Sequence, residues 1–221
     1  LAAALLTMSA MPINARVSVA EAAQPKQNDS LRVYLFEEFR QGVVVMDKTP
    51  FTAKLNYNLA SRQIVFMDPD GMELEIADPS SVRRIEVDGR SFVYSDGRYL
   101  EILCLSGQNA LGVERGITIS DVKSTGAYGT KSSTYATTSA NRLASQGQYV
   151  SLKDDKDIIY KNFVRYYISV GGGFKPATKR QFVKLYPKRR AEIESFTAEH
   201  KTDFADLASI EQLFHFLNPS E

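Results

Sequence analysis

Between Leu31 and Leu105 apolar and polar residues alternate with a period of two, interrupted by turn signals about every eight to twelve residues. That pattern admits antiparallel strands joined by short turns and excludes a helical bundle, whose apolar residues would recur every three to four positions. The runs Gly42 to Met46, Phe51 to Tyr57 and Arg62 to Met67 lead the series. Asp68-Pro69-Asp70-Gly71 turns the chain into Met72 to Ile76, where apolar and acidic residues alternate strictly. Asp78-Pro79-Ser80-Ser81 breaks that strand, and Val82 to Val87 resumes with Val82, Ile85 and Val87 as its apolar positions. Asp88-Gly89 and Asp96-Gly97 are strong hairpin signals bracketing Arg90 to Tyr94. Arg98 to Leu105 follows, with Tyr99, Glu101 and Leu103 expected on one face and Leu100, Ile102 and Cys104 on the other. A further strand is expected around Gly116 to Ile119.

The character changes at Ser124. From there to Tyr149, 17 of 26 residues are Ser, Thr, Ala or Gly, with no acid. Such a stretch buries too little apolar area to offset its ordering entropy and is expected to be a flexible loop. Strand composition returns at Ile158 to Tyr160 and Asn162 to Val170, followed by a Gly171-Gly172-Gly173 turn. Beyond it the period becomes helical. Thr178 is placed to cap a helix over Lys179 to Tyr186, Pro187 to open a second running to about His200, and Asp203 or Asp206 to cap a third. Leu207, Ile210, Leu213, Phe214 and Leu217 form the apolar stripe of the third helix; Ile193, Phe196 and Ala191 that of the second. The fold class is therefore expected to be α+β: an antiparallel β meander, roll or small barrel followed by a compact C-terminal three-helix segment.

The N-terminal run Leu1 to Met11 is apolar, too short to span a membrane and of the length of a signal-peptide core, with small residues after it. The charged region of such a signal is expected upstream of Leu1, and cleavage is expected after Ala20 or Ala22. The alternative is a buried N-terminal helix. No cysteine follows the apolar core, so a lipoprotein anchor is not expected. The organisation read from these signals is a signal peptide at 1–22, a polar leader at 23–30, a β-rich domain at 31–123 and a flexible loop at 124–149. A β hairpin completing the β domain at 150–175 and a helical segment at 176–218 follow.

Composition limits the chemistry. A formal net charge of +1 argues against a general nucleic-acid binder, and one cysteine with two histidines builds no zinc or iron-sulfur motif. The acidic turn at Asp68, Asp70, Gly71 and Glu73 lacks the glycine and glutamate spacing of an EF-hand. Cys104 lies in an apolar strand, far in sequence from both histidines, and is expected to be a packed small side chain. His200 and His215 are expected to serve helix C-terminal ends. Gly171-Gly172-Gly173 lacks the Gly-Lys-Ser/Thr ending of a phosphate loop. No catalytic, metal or cofactor residues are expected.

The near-zero net charge conceals a split tail. Lys175, Lys179, Arg180, Lys184, Lys188, Arg189 and Arg190 follow one another with no acid among them, and acidic residues dominate from Glu192 onward. Lys179, Arg180, Lys184, Lys188, Arg189 and Arg190 are accordingly candidates for an anionic-partner patch, the bland alternative being a solvated helix surface.

The segment Phe51 to Tyr94, with its KLNYNLASRQIVFMDPDG hairpin and its VRRIEVDGRSFVY strands, resembles uncharacterised exported proteins of the bacterial phylum Bacteroidota. The tail KRQFVKLYPKRRAEIESFTAEHKTDFADLASIEQLFHFL is similar to their C-terminal segment, with its Leu-Tyr-Pro break. The resemblance implies export to the periplasm or outer membrane, a β-rich body with a short helical end, and no transferable catalytic residues. It also implies a glycosylation acceptor at Ser30, within Asp29-Ser30-Leu31. The expected function is that of an exported non-enzymatic envelope protein, a binding or adaptor module whose partner is an envelope protein or anionic surface component. The alternative is a carboxylate-dependent hydrolase acting on envelope glycans or peptides.

Overall fold

The computed structural model describes residues 33–47, 49–123 and 157–219. The expected signal peptide, the leader with Ser30 and the loop at 124–149 lie outside the described residues. Within them, the period-two segments form one antiparallel sheet of ten strands: β1 (Arg40–Met46), β2 (Phe51–Asn58), β3 (Gln63–Met67), β4 (Glu73–Glu75), β5 (Val82–Val87), β6 (Arg90–Ser95), β7 (Arg98–Ser106), β8 (Asn109–Lys123), β9 (Asp157–Val170) and β10 (Lys175–Pro176). Their spatial order is β10-β9-β8-β7-β6-β5-β1-β2-β3-β4, a linear series, so the sheet is not closed into a barrel.

The turns follow from the local chemistry. Asp88 and Gly89, and again Asp96 and Gly97, all take positive φ, as the tight hairpins β5-β6 and β6-β7 require. Gly42 serves a different need. It lies where β1 is flanked by β2 and β5, and a Cβ there would fall 2.6 Å from the Glu86 carbonyl oxygen and from a Leu55 methyl. The sheet also curls on itself. Ile117 of β8 donates its N–H to the Leu59 carbonyl in the β2-β3 turn at 3.0 Å, and the Tyr57 hydroxyl donates to the Arg115 carbonyl at 2.9 Å. Buried Asn56 holds the chain before β1: its Oδ1 accepts from the Phe36 N–H and its Nδ2 donates to the Phe36 carbonyl. Phe36, Val44, Leu55, Tyr57, Ile64, Ile85, Phe92 and Tyr99 fill the core that results.

In β7 the structure corrects the expected facing. The register shifts between Ile102 and Cys104, so that Glu101 lies opposite Val113 and Cys104 opposite Leu111. Val113 and Leu111 are two residues apart in β8 and share a face, so the bulge brings Cys104 onto the face of Glu101.

Three helices follow the sheet: α1 (Lys179–Leu185), α2 (Arg190–Glu199) and α3 (Leu207–Leu217). Thr178 accepts from the Gln181 N–H at the start of α1, and Asp206, not Asp203, caps α3 by accepting from the Ser209 N–H. Pro187 opens a single 3-10 turn, Pro187–Arg189, rather than the helix itself. Helices of 7, 10 and 11 residues are not stable alone in water. Here Phe182, Ile193, Ile210, Leu213, Phe214 and Leu217 pack together against Leu111 of β8 and Ile168 of β9, which makes a second core. Ala191, expected on the apolar face of α2, is exposed instead. Among the described residues no helix is long and apolar enough to cross a membrane.

Candidate anion-binding surfaces

The six cations singled out in the tail part into two groups. Arg189 is committed to the fold: its Nε and one terminal nitrogen donate to Glu192, the other donates to the Leu217 carbonyl at 2.8 Å, and its plane lies over the Phe216 ring. It thereby closes the C-terminal end of α3, a favourable place for a cation. Arg190 pairs with Glu194 one turn along α2 at 2.9 Å. Lys179, Arg180, Lys184 and Lys188 are exposed, as is Lys175 of β10, and none pairs with a described carboxylate. Lys179 and Arg180 occupy the first turn of α1, which contains no acid. A helix N-terminus carries partial positive charge, so two cations there oppose the dipole and gain the fold nothing.

A second basic cluster, not anticipated from the sequence, lies in the sheet. Glu114 of β8 is fully buried, and three guanidiniums surround it. Arg62 approaches Oε1 at 3.3 Å, while Arg98 and Arg165 approach Oε2 at 3.8 and 3.7 Å. The Tyr167 hydroxyl donates to Oε2 at 2.9 Å and accepts from Arg98 at 2.7 Å. Four elements supply these groups. Arg165 is the register partner of Glu114, Tyr167 lies two residues on along β9, Arg98 begins β7 and Arg62 comes from the β2-β3 turn, where its φ is 61°. Nearby, Glu101 takes Arg115 at 3.0 Å and Arg90 at 3.5 Å. Burial, and next the Glu114 carboxylate, drives the Tyr57 phenol well above its ordinary range; burial followed by the hydrogen bond to Glu114 raises Tyr167. Both oxygens of each buried glutamate are engaged by guanidinium or phenol groups, so these two carboxylates act as hubs of ion pairs. A general acid or base needs an oxygen open to substrate.

Cys104 packs against the second core, but beside a histidine, which its place in the sequence did not suggest. Packing of α3 on β7 brings His215 Nε2 to 3.9 Å and Glu211 Oε1 to 3.8 Å from its Sγ, although both are more than a hundred residues away in sequence. Proximity does not activate the thiol, because burial and then the Glu211 carboxylate push it up to about 12 from the ordinary 9.0. A nucleophilic cysteine requires the opposite shift. At neutral pH the thiolate fraction is lowered on the order of a thousandfold. Iodoacetamide at pH 8 is therefore expected to alkylate the native thiol at least a hundredfold more slowly than a free cysteine, roughly in proportion to its thiolate fraction. Glu211→Gln is expected to speed that reaction, and denaturant to restore the ordinary rate; mass spectrometry of timed aliquots reads both.

Among the described residues no group of three or more His, Cys, Asp or Glu side chains is placed to hold a metal ion. Comparison with protein-family models, with curated proteins and with solved structures returned no match to this chain.

Proposed function

We propose that this chain is an exported, non-enzymatic envelope protein, a binding or adaptor module whose helical tail engages an anionic component of the envelope surface. The observation that carries this reading is the group Lys179, Arg180, Lys184 and Lys188. These cations are exposed, free of carboxylate partners among the described residues, and in part set against the helix dipole. Lys184, in the last turn of α1, suits the helix dipole, but Lys179 and Arg180 are kept where they do not stabilise the fold, which points to a role in recognition. The sheet and the second core give that tail a rigid base.

Vesicles containing phosphatidylglycerol, an acidic lipid whose phosphate is a diester, provide the probe, compared with phosphatidylcholine vesicles. Each Lys or Arg near an anionic surface contributes about 1 kcal/mol, so the four together give on the order of a hundredfold to a thousandfold in affinity at low salt. Co-sedimentation with the acidic vesicles is expected for the full chain, weakening with added salt and lost in Lys179→Gln/Arg180→Gln/Lys184→Gln/Lys188→Gln. Equal sedimentation with both vesicle types, or undiminished binding by that variant, would sink the reading.

A further inference from the structure

We propose that Arg62, Arg98 and Arg165, gathered around buried Glu114, form a second anion site, separate from the helical tail, that takes the phosphoryl group of a phosphate monoester.

The charge arithmetic comes first. Three guanidiniums face one carboxylate, leaving an excess of two positive charges over a fully buried anchor. Unlike Arg115, which sits 3.0 Å from Glu101, Arg98 and Arg165 stand 3.8 and 3.7 Å from their shared oxygen, beyond a charge-assisted hydrogen bond. Glu114 holds these two near itself by charge. Arg98 spends one terminal nitrogen on Tyr167 and aims its Nε and the other at the Asp96 carbonyl at 3.4 Å, so it contributes charge more than open donors, whereas the donors of Arg165 stay unused. The Arg165 side chain makes no hydrogen bond to a described residue and rests over the Phe163 ring, while the Arg62 side chain makes one, to Glu114. A guanidinium has five N–H donors, so most of those on Arg62 and Arg165 remain free for another acceptor. The side chains are 43%, 34% and 57% exposed for Arg62, Arg98 and Arg165, so that acceptor can arrive from solvent.

The shape of the cluster selects the ligand. Planar forks converge from the β2-β3 turn, from β7 and from β9, held by Glu114, Tyr167 and Phe163. A carboxylate offers two oxygens in a plane and one charge; a phosphate monoester offers three terminal oxygens and close to two charges, matching the excess charge in sign and size and giving acceptors to the open donors of both Arg62 and Arg165. The left-handed backbone of Arg62, costly for a residue with a Cβ, is met at the point where its side chain joins the cluster.

Calorimetry with phenyl phosphate on the full chain tests the proposal, together with co-sedimentation on phosphatidate against phosphatidylcholine vesicles by the full-length variant with Lys179, Arg180, Lys184 and Lys188 neutralised, to which each substitution below is added for the vesicle arm. Saturable binding of either probe is expected at constant ionic strength in chloride. Binding of phenyl phosphate assigns a soluble ligand, and binding of the vesicles alone assigns a lipid headgroup. Arg62→Gln/Arg165→Gln is expected to weaken binding roughly tenfold or more, and Arg165→Lys, which keeps the charge but loses the fork, by a smaller factor. Arg83→Gln, removing an exposed arginine elsewhere in the sheet, is expected to bind like the unaltered chain. The variant with Lys179, Arg180, Lys184 and Lys188 neutralised retains phenyl phosphate, which separates this site from the tail. Absence of saturable binding of both probes overturns the proposal, as does binding at full strength by a folded Arg62→Gln/Arg165→Gln or by a folded Arg165→Lys.

Discussion

Phe214→Ala is expected to lower the unfolding free energy by about 3 to 5 kcal/mol, the range for truncating a fully buried phenylalanine. Phe214 of α3 is fully buried among Phe182 of α1, Ile193 of α2 and the strand residues Leu111 and Ile168. The short helices contribute little stability of their own, so their persistence rests on this shared core. A domain of ordinary stability has about 5 to 15 kcal/mol in total, and the substitution removes a large fraction of it. Urea denaturation followed by far-UV circular dichroism measures the loss as a shift in midpoint. Amide hydrogen exchange is expected to show the helices and the β8-β9 pair losing protection together, since Leu111 and Ile168 belong to the same cluster. Loss of protection in the helices alone would show that the tail is a separately unfolding unit.

Glu114→Ala is expected to cost about 2 to 3 kcal/mol. Removing one partner of a buried ion pair typically costs about 3 to 5 kcal/mol, but here the charges left behind belong to arginines 34% to 57% exposed, which can turn toward water. Tyr167 also loses the acceptor for its hydroxyl. Glu114→Gln keeps the volume and part of the hydrogen bonding and is expected to cost about 1 to 2 kcal/mol. A double-mutant cycle with Arg165→Ala separates the pair from the burial. A coupling close to zero would show that Arg165 gains nothing from Glu114, contrary to the cluster described above.

The two glutamate hubs show why part of the molecule could not be read ahead of its fold. Glu101 stands between Leu100 and Ile102, a visible anomaly in a strand, whereas Glu114 is followed by Arg115 and carries no such signal. Which arginine meets each one depends on register, on the bulge between Ile102 and Cys104 and on the curl that brings the β2-β3 turn to β8. The same bulge and the docking of α3 place His215 beside Cys104, two residues whose separation in sequence suggested no relation. In the tail, the charge run was legible residue by residue. What it did not reveal is that Arg189 caps α3 and Arg190 pairs along α2, leaving the other four to face solvent unpaired.

Local chemistry determined the elements. Period two with Asp-Gly turns made hairpins, Thr178 and Asp206 capped their helices, and the stripe from Leu207 to Leu217 faced a core. These are short-range consequences of backbone sterics, capping and burial, which act within a few residues and can be read from them. The linear strand order, the choice of an open curled sheet over a barrel, and the meeting of Arg62, Arg98 and Arg165 at Glu114 were decided only in three dimensions. Each depends on contacts between distant segments, whose free energies are sums over a whole packed arrangement.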